Sequence, residues 1–282
     1  MRLSILTPSY NYGHFIDDSA LSIAGQGVPV QWVVQDAESK DGTRDVVAAA
    51  ESGTVNVDYR SEPDLGQSDA LNRALSRADG DWIGWLNADE FYLRGAFQEV
   101  AQAVSSHPDA DVIFGDSVLV DEEGRYLRRH PSHAPSPVVL RWSSCYISSC
   151  AVFVRSEVLR EMGWDTGLRR IMDWDLYLRL EANGAKFQYI PTSLAAFRVH
   201  DAQVTHSPGS LVPEEYRRFY AKHGIAETGV PAWKRVMGRC MHIGMKIVEG
   251  AYVRQIRGRL SFRGRDMHWW RDDVVADSGA RP

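Results

Sequence analysis

Asn87 and Asp89 stand two residues apart, with Ala88 between them, at the point where a short apolar run stops. The run, Trp82 to Leu86, follows Gly80 and has the bounded, aromatic-rich make-up of a buried strand. In an open, mostly parallel α/β sheet, ligands bind beyond the carboxyl ends of the strands. An oxygen-bearing i, i+2 pair placed there can hold a hard divalent cation. The same residues also fit a plainer arrangement of strand, polar loop and helix, with Asp89 as the N-cap and Glu90 as a helix-start charge.

The elements that must position this pair are legible upstream. Leu3 to Thr7 reads as a strand, ending in the turn formers and hydroxyls of Pro8 to Gly13, and a helix follows from His14 to Ala24. Val30 to Gln35 ends at the polar loop Asp36 to Thr43, with a helix to about Glu51, and Val55 to Arg60 ends at Ser61 to Gly66. Asp69 to Ala78 carries Ala70, Leu71, Ala74 and Leu75 on one helical face. This alternation predicts an α/β doubly wound, mostly parallel sheet with every polar loop on one edge. Beyond Glu90 the pattern is mixed: a helix from Arg94 to Ser105, a strand from Asp111 to Phe114, and a hairpin through Ser117 to Arg129. A proline-marked loop at Pro131, Pro135 and Pro137 follows, then a strand from Ile147 to Val154. Helices over Ser156 to Glu161 and Asp173 to Asn183 lead to late strands at Phe187 to Ile190 and Leu194 to Val199.

Composition places the chain among ordinary globular proteins, with 44% hydrophobic and 24% charged residues in 282. The start is too short for a signal-peptide core and no run reaches a membrane span, so a cytoplasmic location is expected. Cys145, Cys150 and Cys240 match neither a disulfide framework nor a metal pattern and are assigned to packing. Residues 231–282 hold 11 Lys and Arg against 5 Asp and Glu, which leaves the first 230 at a net −11. Such an acidic body argues against a nucleic-acid partner. The basic tail, Trp233 to Arg271, interleaves its cations with Met237, Met241, Ile243, Ile247 and Ile256. It reads either as a helix lying on an anionic membrane at the inner face, or as one packed on the body or pairing copies into a homo-oligomer. Gly279 to Pro282 is expected to fray.

Taken in order, these motifs resemble the family-2 glycosyltransferases over residues 3 to 206. The opening S-I-L-T-P-S-Y-N is similar to the family's first strand and nucleotide loop. Gln35 to Thr43 resembles its D-G-x-S-x-D-G-T segment, and S-E-P-D-L-G-Q-S-D-A-L-N followed by W-L-N-A-D-E matches a subgroup with a W-L-N-x-D metal motif. Phe114-Gly115-Asp116, Met172-Asp173-Trp174-Asp175-Leu176 and Phe197-Arg198-Val199-His200 resemble the segments behind the sugar, at the acceptor and at the late histidine. Departures are Asn87 for the first Asp of the metal motif, Glu90 where Asp is common, and Met172 for an acid.

The resemblance implies a GT-A fold, a Rossmann-like half with a mostly parallel mixed sheet flanked by helices, spanning 1–207, with a C-terminal helical extension over 208–282. It also implies an inverting transfer of a hexose-type sugar from a nucleotide-diphosphate sugar, UDP favoured, to a hydroxyl of a glycan, lipid-linked or small-molecule acceptor. Asp173 would be the general base. Asp89 and His200 would bind Mn²⁺ or Mg²⁺, leaving Asn87 a weak partner. Thr7, Pro8, Ser9, Tyr10, Asp36, Ser39 and Asp41 would surround the nucleotide, with Asp36 at the base. Gly66, Gln67, Ser68, Asp69 and Asn72 would open a helix toward ribose or phosphate, and Ala88, Asp116 and Arg198 would complete the donor pocket. Asp175 is expected to be a cap or ion-pair partner. Trp142, Trp164 and Trp174 are acceptor-stacking candidates whose default is core. The departures leave a second reading open, a non-catalytic nucleotide-sugar-binding scaffold. A sugar nucleotidyltransferase would want a Gly-rich, Arg-bearing loop that Pro8 to Tyr12 does not supply.

Overall fold

A computed structural model describes residues 1–201, 212–226 and 229–270. The division at 207/208, the end of the tail at Arg271 and the fraying expected at 279–282 lie outside the described residues.

Strands β1 (Leu3–Ser9), β2 (Val30–Asp36), β3 (Val55–Ser61) and β4 (Trp82–Trp85) alternate with helices α1 (Gly13–Ala24), α2 (Thr43–Ala49) and α3 (Gln67–Arg77). They lie in the order β3-β2-β1-β4 and are all parallel. β2 lies on one side of β1 and β4 on the other, which is the switch point where a doubly wound sheet opens a crevice. The β1–β4 ladder stops at Leu6 and Trp85. Pro8, which has no N–H to give, therefore costs no bond on that side. Ala70, Leu71, Ala74 and Leu75 of α3 are buried as expected.

The second half is mixed. After β5 (Phe91–Tyr92) and α4 (Ala96–Ser106) come β6 (Val112–Val120), β7 (Tyr126–His130), α5 (Pro137–Trp142), a 3₁₀ turn at Ser149–Ala151, β8 (Val152–Arg155) and α6 (Ser156–Met162). Helix α7 (Met172–Ala182) and β9 (Phe187–Arg198) follow. The sheet continues β4-β8-β6-β9-β5, with β7 on β6; only β6 and β9 are parallel in this half. Both faces are covered, one by a core around Leu71, Trp85 and Leu176, the other by one around Trp32, Phe97 and Phe153.

Several expectations change. No helix begins at Asp89 or Glu90; β5 follows, and α4 starts only at Ala96. Glu90 is fully buried, so it is not a helix-start charge. The proline-marked loop contains α5, where Pro137 occupies the first turn and the Ser136 side chain accepts from Val139 N–H. The two late strands are one, β9, because the register shift beside Gly115 and Asp116 absorbs Pro191 as an irregularity. The tail is not one helix. Helix α8 (Val212–Lys222) buries Phe219 in the body core, and α9 (Ala232–Val248) and α10 (Ala251–Phe262) are separated at Gly250, whose φ of 66° few side chains tolerate. Cys240 is exposed and does not serve packing.

Candidate active site

The strand ends open into a cavity of about 1050 Å³. Pro8, Ser9 and Tyr10 after β1, Gly66 and Gln67 at the start of α3, and Asn87, Ala88 and Asp89 after β4 line one wall. Asp173 at the start of α7, with Thr166, Arg169, Arg170 and Met172 before it, lines the other.

Behind the first wall most of the expected polar side chains are engaged within the protein. Thr7 is buried and its hydroxyl accepts from Trp32 Nε1 at 2.9 Å. The Asp36 carboxylate is buried and accepts from Ser39 N–H (2.9 Å), Ser39 Oγ (2.5 Å), Tyr59 Oη (3.2 Å) and Ser61 Oγ (2.9 Å). Ser39 Oγ in turn accepts from Asn11 N–H, and Asp41 accepts from Gly13 N–H and Thr43. These side chains shape the loop, and the cavity is lined instead by Ala37 and Glu38. At α3, Ser68 donates to Leu168 O, Asn72 bridges both backbone groups of Trp164, and Asp69 accepts from Leu65 N–H while pairing with Arg73. Gly66 itself has φ 113°, a conformation available essentially to glycine alone.

The strand end that prompted the metal reading is tightly framed. Asn87 Oδ1 accepts from Gln67 Nε2 at 2.6 Å and Trp85 Nε1 at 2.8 Å, so its oxygen is turned to the protein. Asn87 N–H donates to Glu90 Oε2 at 2.9 Å. Burial, then the neighbouring Asp89 charge, pushes the Glu90 carboxyl well above its usual range. Asp89 Oδ2 lies 3.0 Å from His200 Nε2, and the His200 ring packs on Phe15 and Tyr12. Tyr12 also lines the cavity, and burial followed by the Asp89 charge raises its hydroxyl to about 12.

Thr7, Asp36, Ser39, Asp41, Ser68, Asp69, Asn72 and His200 lie behind the cavity lining, and so do Arg198 and Asp116. Arg198 is buried; its guanidinium donates to the carbonyls of Asp89 (2.9 Å) and Glu122, and pairs with Asp18 at 2.6 Å. It fixes the backbone beneath Asp89. Asp116 is fully buried among Ser132 N–H, Tyr189 Oη, Arg129 and Arg254. Two of the stacking candidates turn inward, Trp164 being buried and Trp174 Nε1 donating to Leu140 O, while Trp142 packs edge-on against Trp233 of α9. Trp85, packed edge-on against Trp164, is the tryptophan lining the cavity.

The second wall differs. Asp173 is not the N-cap of α7, since Ile171 holds that position. Its Oδ1 accepts from the adjacent Trp174 N–H at 2.7 Å, and burial raises its carboxyl to about 6. Asp175 is the ion-pair partner the sequence suggested. Burial alone would raise it too, but hydrogen bonds from His223, Lys222 and Arg179 outweigh burial and hold it at about 2. Arg169 and Arg170 had no motif to announce them. Glu215 of α8 accepts from the N–H groups of Arg169, Arg170 and Ile171 and so shapes the loop that carries both.

The sequence over residues 4–176 matches the Glycosyl transferase family 2 model. The putative teichuronic acid biosynthesis glycosyltransferase TuaG of Bacillus subtilis is 30% identical over 137 residues, 47% of this chain and 53% of TuaG. An uncharacterised glycosyltransferase of Methanocaldococcus jannaschii is 25% identical over 146 residues, 50% of this chain and 49% of its own. The chain thus spans about half the length of these two relatives. Among solved structures, S. aureus TarS 1-349 with UDP-GlcNAc aligns with a TM-score of 0.65 at 17% identity, over 79% of this chain and 66% of TarS 1-349. The Pyrobaculum calidifontis mannosyltransferase PcManGT, with GDP-Man and Mn²⁺, aligns with a TM-score of 0.60 at 19% identity, over 84% and 68%. These alignments confirm the GT-A architecture expected from the sequence. Because the family model spans well over half of the residues, this chain belongs to glycosyl transferase family 2.

Proposed function

We propose that the chain transfers a hexose-type sugar, with inversion, from a nucleotide-diphosphate sugar to an acceptor hydroxyl, with Asp173 as general base. The observation that carries this reading is the Asp173 carboxyl lining the same cavity as Asn87 and Asp89, poised at about 6. A base whose pKa lies near the working pH is both deprotonated and able to accept a proton in the transition state. As the acceptor oxygen bonds to the anomeric carbon, the bond from that carbon to the diphosphate oxygen breaks. The acceptor proton passes to Asp173, and the nucleoside diphosphate leaves with the bonding electrons. Approach opposite the leaving group inverts the anomeric centre.

The diphosphate needs positive charge. Arg169 and Arg170 are the cationic residues lining the cavity among those described, and guanidinium groups match phosphate geometry. Asp89 and His200 supply one carboxylate and one imidazole side by side, a donor set that fits Mn²⁺ or Mg²⁺. No group of three such ligands occurs among the described residues, so remaining ligands would come from diphosphate oxygens and water. A divalent cation there would supply Lewis-acid compensation of the leaving charge.

The donor we favour is a UDP-sugar, the nucleotide class held by TarS in its UDP-GlcNAc complex. The acceptor class is a glycan or lipid-linked hydroxyl, in keeping with the teichuronic acid role named for TuaG. The test is nucleoside diphosphate release from UDP, GDP and dTDP sugars with Mn²⁺ or Mg²⁺, alongside donor binding by calorimetry. Cation-strengthened binding with turnover is expected. Binding without turnover on any acceptor or water would favour the scaffold reading.

A further inference from the structure

The C-terminal helix pair turns its apolar side outward. In α9 the side chains of Val236, Met237, Met241, Ile243, Ile247 and Val248 are all exposed, Val248 by 86%. At about 100° per residue they fall within one arc of roughly 160°. The opposite side holds the helix to the body. Gly238 lies where a Cβ would come within 3.1 Å of Ser143, His242 Nδ1 meets His133 Nε2 at 2.9 Å, and Glu249 accepts from Ala134 N–H. α10 repeats the arrangement, with Gly258 against Tyr126 and Arg254 on Asp116 inside, and Tyr252, Val253, Ile256 and Leu260 exposed outside. A solvated surface helix has the reverse polarity.

The borders of this face are basic. On the same wheel, Lys234 flanks the α9 arc on one side, Arg235 and Arg239 on the other, and Arg257 and Arg259 flank that of α10. Beside α10, a cavity of about 690 Å³ is lined by Arg125, Arg128, Arg259 and Arg263 together with Tyr252 and Ile256, and Asp121 also borders it. We infer that α9 and α10 form a docking surface for an anionic lipid bilayer. Their apolar side chains enter the head-group boundary, and the flanking cations meet lipid phosphates. A second copy of the same face is the poorer occupant, because isologous contact would set the two basic borders against each other. No helix among the described residues is long and apolar enough to cross a membrane, so the contact is with the surface.

The experiment is co-sedimentation of the full chain with vesicles of phosphatidylcholine alone or containing phosphatidylglycerol, in about 0.1 M and about 1 M salt. Two variants are compared with the parent: Val236→Gln/Ile247→Gln/Leu260→Gln, and Arg257→Gln/Arg259→Gln. Binding to the anionic vesicles only, weakened at high salt and reduced about tenfold or more by each variant, is the expected result. Nucleoside diphosphate release should be unchanged in both variants, since none of these residues lines the catalytic cavity. The charge variant leaves the apolar face untouched and carries the test independently of the first. Equal binding to neutral vesicles, or binding insensitive to both variants, overturns the proposal. So does absence of vesicle binding together with a concentration-dependent dimer that the apolar variant dissolves.

Discussion

The two walls of the candidate active-site cavity are built differently. At and behind the sheet-end wall the conspicuous motif residues are bonded within the protein: Thr7 to Trp32, Asp36 to Ser39, Tyr59 and Ser61, Asn87 to Gln67 and Trp85. On the other wall, from a loop and the first turn of α7, Asp173, Arg169 and Arg170 bring the groups that the proposed donor and acceptor need. One wall sets shape, and the other brings reactive charge. The same division recurs within α7, where Asp173 stands at about 6 and Asp175, two residues on, at about 2. Environment, not residue type, separates the proposed base from the ion-pair partner.

The difference can be broken most directly at Asp173. Asp173→Asn should lower turnover by about 10²- to 10⁴-fold, the usual worth of a general base, while donor binding measured by calorimetry changes little. Next in size, Arg169→Ala should weaken donor affinity about tenfold or more, as loss of a charge-assisted phosphate contact does. A raised KM with nearly constant kcat is the signature of binding made equally in ground and transition states. Behind the shaping wall, Asp36→Ala should act on the fold, lowering unfolding free energy in a denaturant titration by about 1 to 3 kcal/mol because several buried donors lose their acceptor. Donor affinity lost without loss of stability would make Asp36 a ligand and erase the distinction between the walls.

The smallest effect concerns stability. The folded-state pKa of Asp173 lies above its unfolded value, so the native state binds its proton more tightly. That contribution is full below pH of about 4, and is lost as pH rises to about 6. Above that range the ionised carboxylate is a net cost, roughly 1 to 2 kcal/mol for a group still partly open to the cavity. Asp173→Asn should therefore be more stable than the parent at pH 7 by about that amount, with the gain vanishing near pH 4 in thermal melts.

Much of this was readable in the chain. The polar strand ends after β1, β2 and β4 followed from alternation alone, and Asp89, His200 and Asp173 followed from the motifs. Other features depended on contacts between distant segments. Glu90 reads as a helix-start charge beside Asp89, but β5 pairing with β9 draws it into the interior. Asp116 and Arg198 sit in donor-site motifs, yet partners from β7, α10 and Asp18 claim them. Arg169 and Arg170 lie in a loop without periodicity, placed by Glu215 some 45 residues later. In the tail, amphipathicity was plain, but which side faced solvent depended on what Gly238 and Gly258 allow to approach.

The measurement closest to the central claim is the pH dependence of kcat/KM for nucleoside diphosphate release, with the parent and Asp173→Asn compared across pH 5 to 8. For the parent, activity should rise about tenfold per unit below pH 6 and level off above it, as a base with a pKa of about 6 deprotonates. The residual activity of Asp173→Asn should lack that step. A parent profile without the step, or a variant that retains it, would contradict Asp173 as the base.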